Sequence, residues 1–465
     1  MGDSGRPSDP LGLEAEAMRR LGHWVVDQVV DHFERGPDGP AIRTGGAEDL
    51  WSALGGAVPE EPGDPLAAMS TLVDVALANM QHVDHPRYFA RVPNAASFAG
   101  VLGEWLGVGF NALATSWAGG SGPATVELVV LEWLRGLLGL DVGTEGVLTS
   151  GGSLANLMGL AVARRSVGVG VAYLSDQTHA SIGRGLGALG FAPGQIRVLE
   201  SDARFRLSVD AVAAAVSADR SAGLRPGFVV ATAGTTNSGA VDPLPGLAGL
   251  CAREGLWLHV DGAYGAPAAL CQPGRSVLPG LELADSLVLD PHKWLFQPYD
   301  VGCLFVRRPG ELERTFAMTP EYLADTRAGH GEVDFRNRTL ELTRRARALK
   351  LWLTFRTYGA HGIRAAIARC LELAEHAERL LRADSRWEVV TPAQLAIVTF
   401  ARRGAAAGEH AARVAALARD GYAAVTSTTL RDRSVLRLCT INPRSTEEDI
   451  ASTLELLLAD LHTRG

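Results

Sequence analysis

Between residues 146 and 290, short apolar runs recur at intervals that leave room for a helix, and this alternation constrains the fold more than any other feature. Strands are predicted at 146–150, 171–175, 196–200, 228–233, 256–261 and 286–290, with helices at 153–166, 208–217 and 244–254. Apolar strands joined by crossover helices make a mainly parallel sheet covered on both faces, the α/β class. Ligands of such sheets bind beyond the carboxyl ends of the strands, so the residues just after each strand carry the most functional information.

Upstream, Leu13, Met18, Leu21, Val25, Val26, Val29 and Val30 recur at helical spacing. A Pro/Gly-rich passage from Gly36 to Pro65 reads as extended chain around a short helix. Downstream, an Arg/Leu-rich helix is predicted from Leu340 to Tyr358 and another over 361–383. Strands at 387–390, 397–400 and 435–441 and a helix over 446–462 follow. The predicted organisation is an N-terminal helical arm (1–97), a large domain (98–349) and a small α+β domain (350–465); 465 residues can bury more than one core.

The net charge of −8 is spread over mixed signs with no basic footprint, which argues against a nucleic-acid partner. No apolar run reaches membrane-spanning length, and MGDSGRPSDP lacks the apolar stretch of a signal peptide. The five cysteines stand singly, without a CxxC, so reduced thiols and a cytoplasmic location are expected.

Five strand ends carry distinctive polar groups. LVLDPHKWLF (287–296) places Lys293 in an otherwise apolar block, and a buried lysine of lowered pKa is what forms a Schiff base. HVDGAYG (259–265) ends a strand in Asp261, and a carboxylate under a pyridine nitrogen keeps that nitrogen protonated. LTSGGSLANL (148–157) runs through Ser150, Gly151, Gly152 and Ser153 into a helix, which makes an anion cradle. His179 in SDQTHAS can stack on a ring and move a proton, and Thr232 in ATAGTTNSG can bond a ring substituent. Taken singly, each has a plain alternative: a turn lysine, an Asp-Gly turn, a serine N-cap, a structural histidine. Together they present what one phosphorylated pyridine requires, and the plain alternatives would have to hold five times over.

With HPRYFA (85–90), TPEYL (319–323) and RRARALKLW (344–352), these blocks resemble the group II pyridoxal-phosphate amino-acid decarboxylases over about residues 12–460. The resemblance implies a type I, aspartate-aminotransferase-like fold, a homodimer with shared active sites, and α-decarboxylation of an L-amino acid to carbon dioxide and an amine. By position, Lys293 is the Schiff-base lysine and Asp261 the partner of the ring nitrogen. Ala263 and His179 lie on opposite ring faces, and Gly152, Ser153 and His292 hold the phosphate. Asp290 departs from the Asn or Ser common in the family, and a carboxylate there would repel phosphate unless it turns away. A mobile lid over Met318 to Phe335 is implied, with Tyr322 as the proton donor to Cα and glycine hinges at Gly329 and Gly331.

Three rival readings stay open: an aldehyde synthase, which typically has phenylalanine in place of that tyrosine; an aminotransferase; and an inert cofactor-binding scaffold. The family's substrate pocket aligns with Val83, Arg91, Val92, Asn94, Leu113, Thr115 and Tyr299, with fewer rings than aromatic decarboxylases place there. Arg91 and Arg437 align with residues that serve a side-chain carboxylate in glutamate decarboxylases. Aromatic decarboxylases also keep an arginine at the second position, and Arg91 can equally pair with an acid at a dimer interface.

Overall fold

A computed structural model describes residues 9–318, 329 and 331–459. Seven strands form the large sheet: β1 (Glu145–Thr149), β2 (Val171–Ser175), β3 (Ile196–Leu199), β4 (Pro226–Thr232), β5 (Trp257–Asp261), β6 (Ser286–Leu289) and β7 (Gly302–Val306). Their order is β1-β7-β6-β5-β4-β2-β3, and only β7 runs against the rest. β2 and β5 are buried at every position, which is why they read as continuous apolar runs rather than alternating ones. The carboxyl ends of β1, β2, β4, β5 and β6 therefore share one edge, and the polar groups that follow them converge there.

β7 was not anticipated. It returns antiparallel after the loop that follows Lys293, with no crossover helix to mark it. The predicted helix from Leu340 to Tyr358 begins only at Ala348. Residues 340–347 are committed elsewhere: the Ala114 N–H donates to the Arg344 carbonyl at 3.0 Å, and Arg345 bridges Leu113. The fully buried Arg344 guanidinium holds Glu127 at 2.7 Å. That tertiary ion pair overrides local helix propensity. The helix then runs to Ala383 across a break at Gly359.

A second sheet, β10-β11-β9-β8, is antiparallel throughout, built from β8 (Trp387–Gln394), β9 (Ile397–Arg402), β10 (Thr426–Leu430) and β11 (Arg433–Cys439). β10 had not been predicted. Helix Ala15–Arg35 forms as expected from its periodicity but buries no residue in the single chain. Among the described residues, no helix is long and apolar enough to cross a membrane.

Candidate active site

A cavity of about 800 Å³ opens where the strand ends of the large sheet face β10 and β11. Ser150, Gly152 and Ser153 line it at the start of the helix Gly152–Val167. A Cβ on Gly152 would lie 2.7 Å from Asp290 Oδ2 and 3.0 Å from Ala263 Cβ, so only glycine keeps the cradle backbone bare. Free N–H groups and the helix dipole make such a turn receptive to phosphate.

Thr232 and Asp261 end neighbouring strands as register partners, and both line the cavity with Ala263. Asp261 Oδ1 accepts the Ala263 N–H at 3.1 Å, and Oδ2 accepts from Asn156 Nδ2 at 3.0 Å. His179 caps the helix Ala180–Ala188. Its Nδ1 receives the Ser181 N–H at 3.2 Å and lies 2.9 Å from the Ser181 hydroxyl, so Nδ1 is engaged within its own helix turn.

Lys293 Nζ lies 2.8 Å from Asp290 Oδ2. Burial alone would depress this ammonium, but the Asp290 carboxylate, with Asp261 and Tyr299 beyond it, more than offsets burial and holds it above the ordinary lysine value. This differs from the lowered pKa expected of a Schiff-base former, and the reason is the carboxylate three residues earlier. Asp290 borders the cradle beside Gly152, but its Oδ2 pairs with the lysine, and its Oδ1 is buried without a partner among the described residues. His292 stands 3.7 Å from the same carboxylate, and burial holds its pKa down. A second lysine does show the depressed value: burial pushes Lys350 down to about 7. Yet Lys350 is absent from the cavity wall; its Nζ donates to the carbonyls of Pro298 and Asp300 and bridges the Asp300 loop to Glu104. Position, rather than pKa, therefore singles out Lys293 as the lysine within reach of a ligand.

Arg91 and Arg437 both line the cavity. The Arg91 backbone N–H donates to Thr426 Oγ1 at 2.8 Å, and among the described residues its side chain forms no ion pair. Arg437 is buried, donates once to the Arg91 carbonyl, and leaves Nε and Nη2 without partners among the described residues. Asn94 is buried outside the cavity wall, where its Nδ2 donates to the Gln297 carbonyl at 3.1 Å. Leu113 and Thr115 do not line this chain's cavity; Thr115 Oγ1 accepts from the Arg344 N–H. Tyr322 lies outside the described residues.

The residues present fit pyridoxal phosphate. An unpartnered buried polar atom costs roughly 1–3 kcal/mol, and Thr232 Oγ1 and the free Arg437 nitrogens lie on this cavity. They share the cavity with a bare anion cradle, a carboxylate and a reachable lysine, which is the donor and acceptor pattern of a phosphorylated pyridine carrying an amino-acid carboxylate. The model of the pyridoxal-dependent decarboxylase conserved domain matches residues 48–403. The chain belongs to this family. Its cofactor is pyridoxal 5′-phosphate, and it is an amino-acid decarboxylase of type I fold. It is 43% identical over 456 residues to an aromatic-L-amino-acid decarboxylase of Bacillus atrophaeus, covering 95% of each chain. It is also 33% identical to a phenylacetaldehyde synthase of Arabidopsis thaliana, over 85% of this chain and 84% of that one. Among solved structures, Oryza sativa TDC with PLP and tryptamine superposes with a TM-score of 0.92 at 29% identity, covering 99% of this chain and 100% of that one.

Asp290→Asn is expected to speed cofactor capture. Capture of the cofactor aldehyde requires an uncharged Lys293 amine, and the carboxylate both keeps that amine protonated and repels phosphate. The rate at which stripped protein takes up pyridoxal phosphate should rise with pH, and the rise should come at lower pH in the variant. Identical profiles in the two proteins would show that Asp290 does not govern the lysine.

Sequence reasoning passed over Asn156, His259 and Lys350, although each lies inside a quoted block. Nothing in a linear pattern distinguishes their side chains from helix, strand or surface residues. A separate group, His32, His82 and Asp84, has ligand atoms within 4.8 Å of one another. There Arg444 Nη2 stands 3.6 Å from Asp84 and already supplies the positive charge a metal ion would bring.

Proposed function

We propose that this decarboxylase acts on aromatic L-amino acids, releasing carbon dioxide and the arylalkylamine. The observation that carries this reading is the set of cavity-lining residues Val83, Tyr88, Val92 and Tyr299, which give part of the cavity an apolar, partly aromatic surface. The likeness to aromatic-amino-acid decarboxylases supports it. Arg91 is the feature that favours an acidic side chain instead, since it lines the same cavity without an acidic partner among the described residues.

When bound, pyridoxal phosphate supplies the electron sink for the pair released from the Cα–carboxylate bond. In this reading Lys293 anchors it, the Ser150–Ser153 turn and His292 hold its phosphate, and Asp261 keeps its ring nitrogen charged. His179 and Ala263 confine the ring, Thr232 meets its substituents, and Arg437 orients the substrate carboxylate. A panel of phenylalanine, tyrosine, tryptophan, DOPA, glutamate and cysteine sulfinate, followed by carbon dioxide and amine, tests the substrate. Aromatic substrates should lead in kcat/KM by about 100-fold or more. Faster turnover of glutamate or cysteine sulfinate would overturn the reading.

We further propose a homodimer with a shared site and a cytoplasmic location. A second copy would cover helix Ala15–Arg35 and the exposed Leu106, Val108 and Phe110, and five unpaired buried cysteines suit a reducing compartment. Tyr322 in the lid returns a proton to Cα in this scheme, so Tyr322→Phe should lower amine yield far more than carbon dioxide release. Dioxygen and water then compete, giving aldehyde, ammonia and peroxide. A parallel fall of amine and carbon dioxide without peroxide would remove Tyr322 from the chemistry. Mixed dimers of Lys293→Ala and Tyr322→Phe subunits should recover one intact site if the lid acts across the interface.

A further inference from the structure

We propose that Asn156 and His259 are positioning residues that hold the Asp261 carboxylate aimed at the pyridine nitrogen. The proposal rests on the assignment of Asp261 to that nitrogen and extends it inward.

Trp257, His259 and Asp261 alternate along β5, so all three side chains lie on the face covered by the helix Gly152–Val167. That helix contributes Asn156 and, three residues on, Gly159. A Cβ on Gly159 would lie 2.5 Å from His259 Cε1, so the glycine makes room for the imidazole. The result is a buried chain of contacts. Trp257 Nε1 donates to Ser286 Oγ at 2.9 Å, Ser286 Oγ lies 2.8 Å from His259 Nδ1, and His259 Nε2 lies 3.0 Å from Asn156 Oδ1. Asn156 Nδ2 then reaches Asp261 Oδ2 at 3.0 Å and Ser181 Oγ at 3.1 Å.

The direction of every bond in this chain follows from elementary rules. Burial pushes His259 down to about 4, so the ring is neutral and carries one proton. Asn156 Oδ1 can only accept, which places that proton on Nε2. Nδ1 must then accept from the Ser286 hydroxyl, whose oxygen is left to take the indole N–H. With its oxygen occupied by His259, the Asn156 amide can present only N–H groups to Asp261 and Ser181. A flipped amide would set its oxygen against the carboxylate and lose the bond to Asp261. Each oxygen of Asp261 thus meets a donor from the protein, a pair of bonds that fixes its rotamer. The same amide reaches His179 through Ser181, so one side chain orients both the group beneath the nitrogen and the imidazole proposed to stack on the ring.

The test compares dissociation constants of stripped protein for pyridoxal phosphate and for its deaza analogue, in which C–H replaces the ring nitrogen. The native chain should prefer pyridoxal phosphate, because only that ligand pairs with Asp261. Asn156→Leu, nearly isosteric and without donors, should lose about tenfold or more of that preference. His259→Phe should act alike and carries the test where Asn156→Leu does not fold. His259→Gln, whose amide can still donate to Asn156 Oδ1, should retain much of the preference. A merely structural role would weaken both ligands equally, so an unchanged preference in whichever variant folds overturns the proposal. A native chain that does not discriminate between the ligands would instead overturn the assignment of Asp261 itself.

Discussion

Lys293→Ala is expected to abolish turnover and the visible absorbance of the bound cofactor, lowering kcat by roughly 10⁵-fold or more. The estimate follows from the advantage of an anchored over a diffusing reactant, which effective molarities place on that scale. Stability and chemistry can be separated in the same protein. Removing the ammonium leaves Asp290 buried with neither oxygen paired to a cation, a change worth roughly 3–5 kcal/mol in an enclosed site. The carboxylate relieves part of that cost by taking up a proton, so the melting deficit of Lys293→Ala should shrink as pH falls. Adding Asp290→Asn should recover most of the melting temperature at neutral pH without recovering activity. Carbon dioxide release at a native rate, with the visible band retained, would show that another group anchors the cofactor.

The parts of this molecule that could be read from the sequence are those in which local pattern and tertiary position coincide. The four inner strands that were predicted, β2, β4, β5 and β6, lie within two residues of their predicted ends because a strand buried on both faces has no polar positions to blur it. Lys293, Asp261, His179 and Thr232 were legible for a related reason: each closes or follows such a strand, and topology gathers those ends on one edge. β7 escaped because it pairs antiparallel after a loop, without the helix that marks the other crossovers. Residues 340–347 carry a helical rhythm of Arg and Leu that the buried Arg344–Glu127 pair overrides. Asn156 and His259 are 103 residues apart, and only the packing of one helix over β5 brings them together. The elevated pKa of Lys293 likewise depends on where the Asp290 carboxylate turns, which a list of residues does not specify.

Asp261→Asn should separate charge from hydrogen bonding beneath the cofactor ring. The amide keeps the size of the carboxylate but brings an N–H group to a place where both protein neighbours already donate, Asn156 Nδ2 and the Ala263 N–H. One pair of donors must then face each other, at a cost of about 1–3 kcal/mol in stability. The catalytic cost should be larger, about 10²–10⁴-fold in kcat, because a neutral amide cannot hold the ring nitrogen protonated while charge develops. Activity measured beside thermal melting distinguishes the two losses. The exchange Asp261→Asn with Asn156→Asp sharpens the comparison, since it restores a donor–acceptor pair between the positions and sets the carboxylate one side chain further from the ring. Melting should recover in that double variant while kcat stays low. Should kcat recover with it, a negative charge anywhere in the relay is sufficient, and the ring does not require direct contact with Asp261. Near-native activity in the single variant would carry a stronger message, that the protonation of the ring nitrogen is governed by a group other than Asp261.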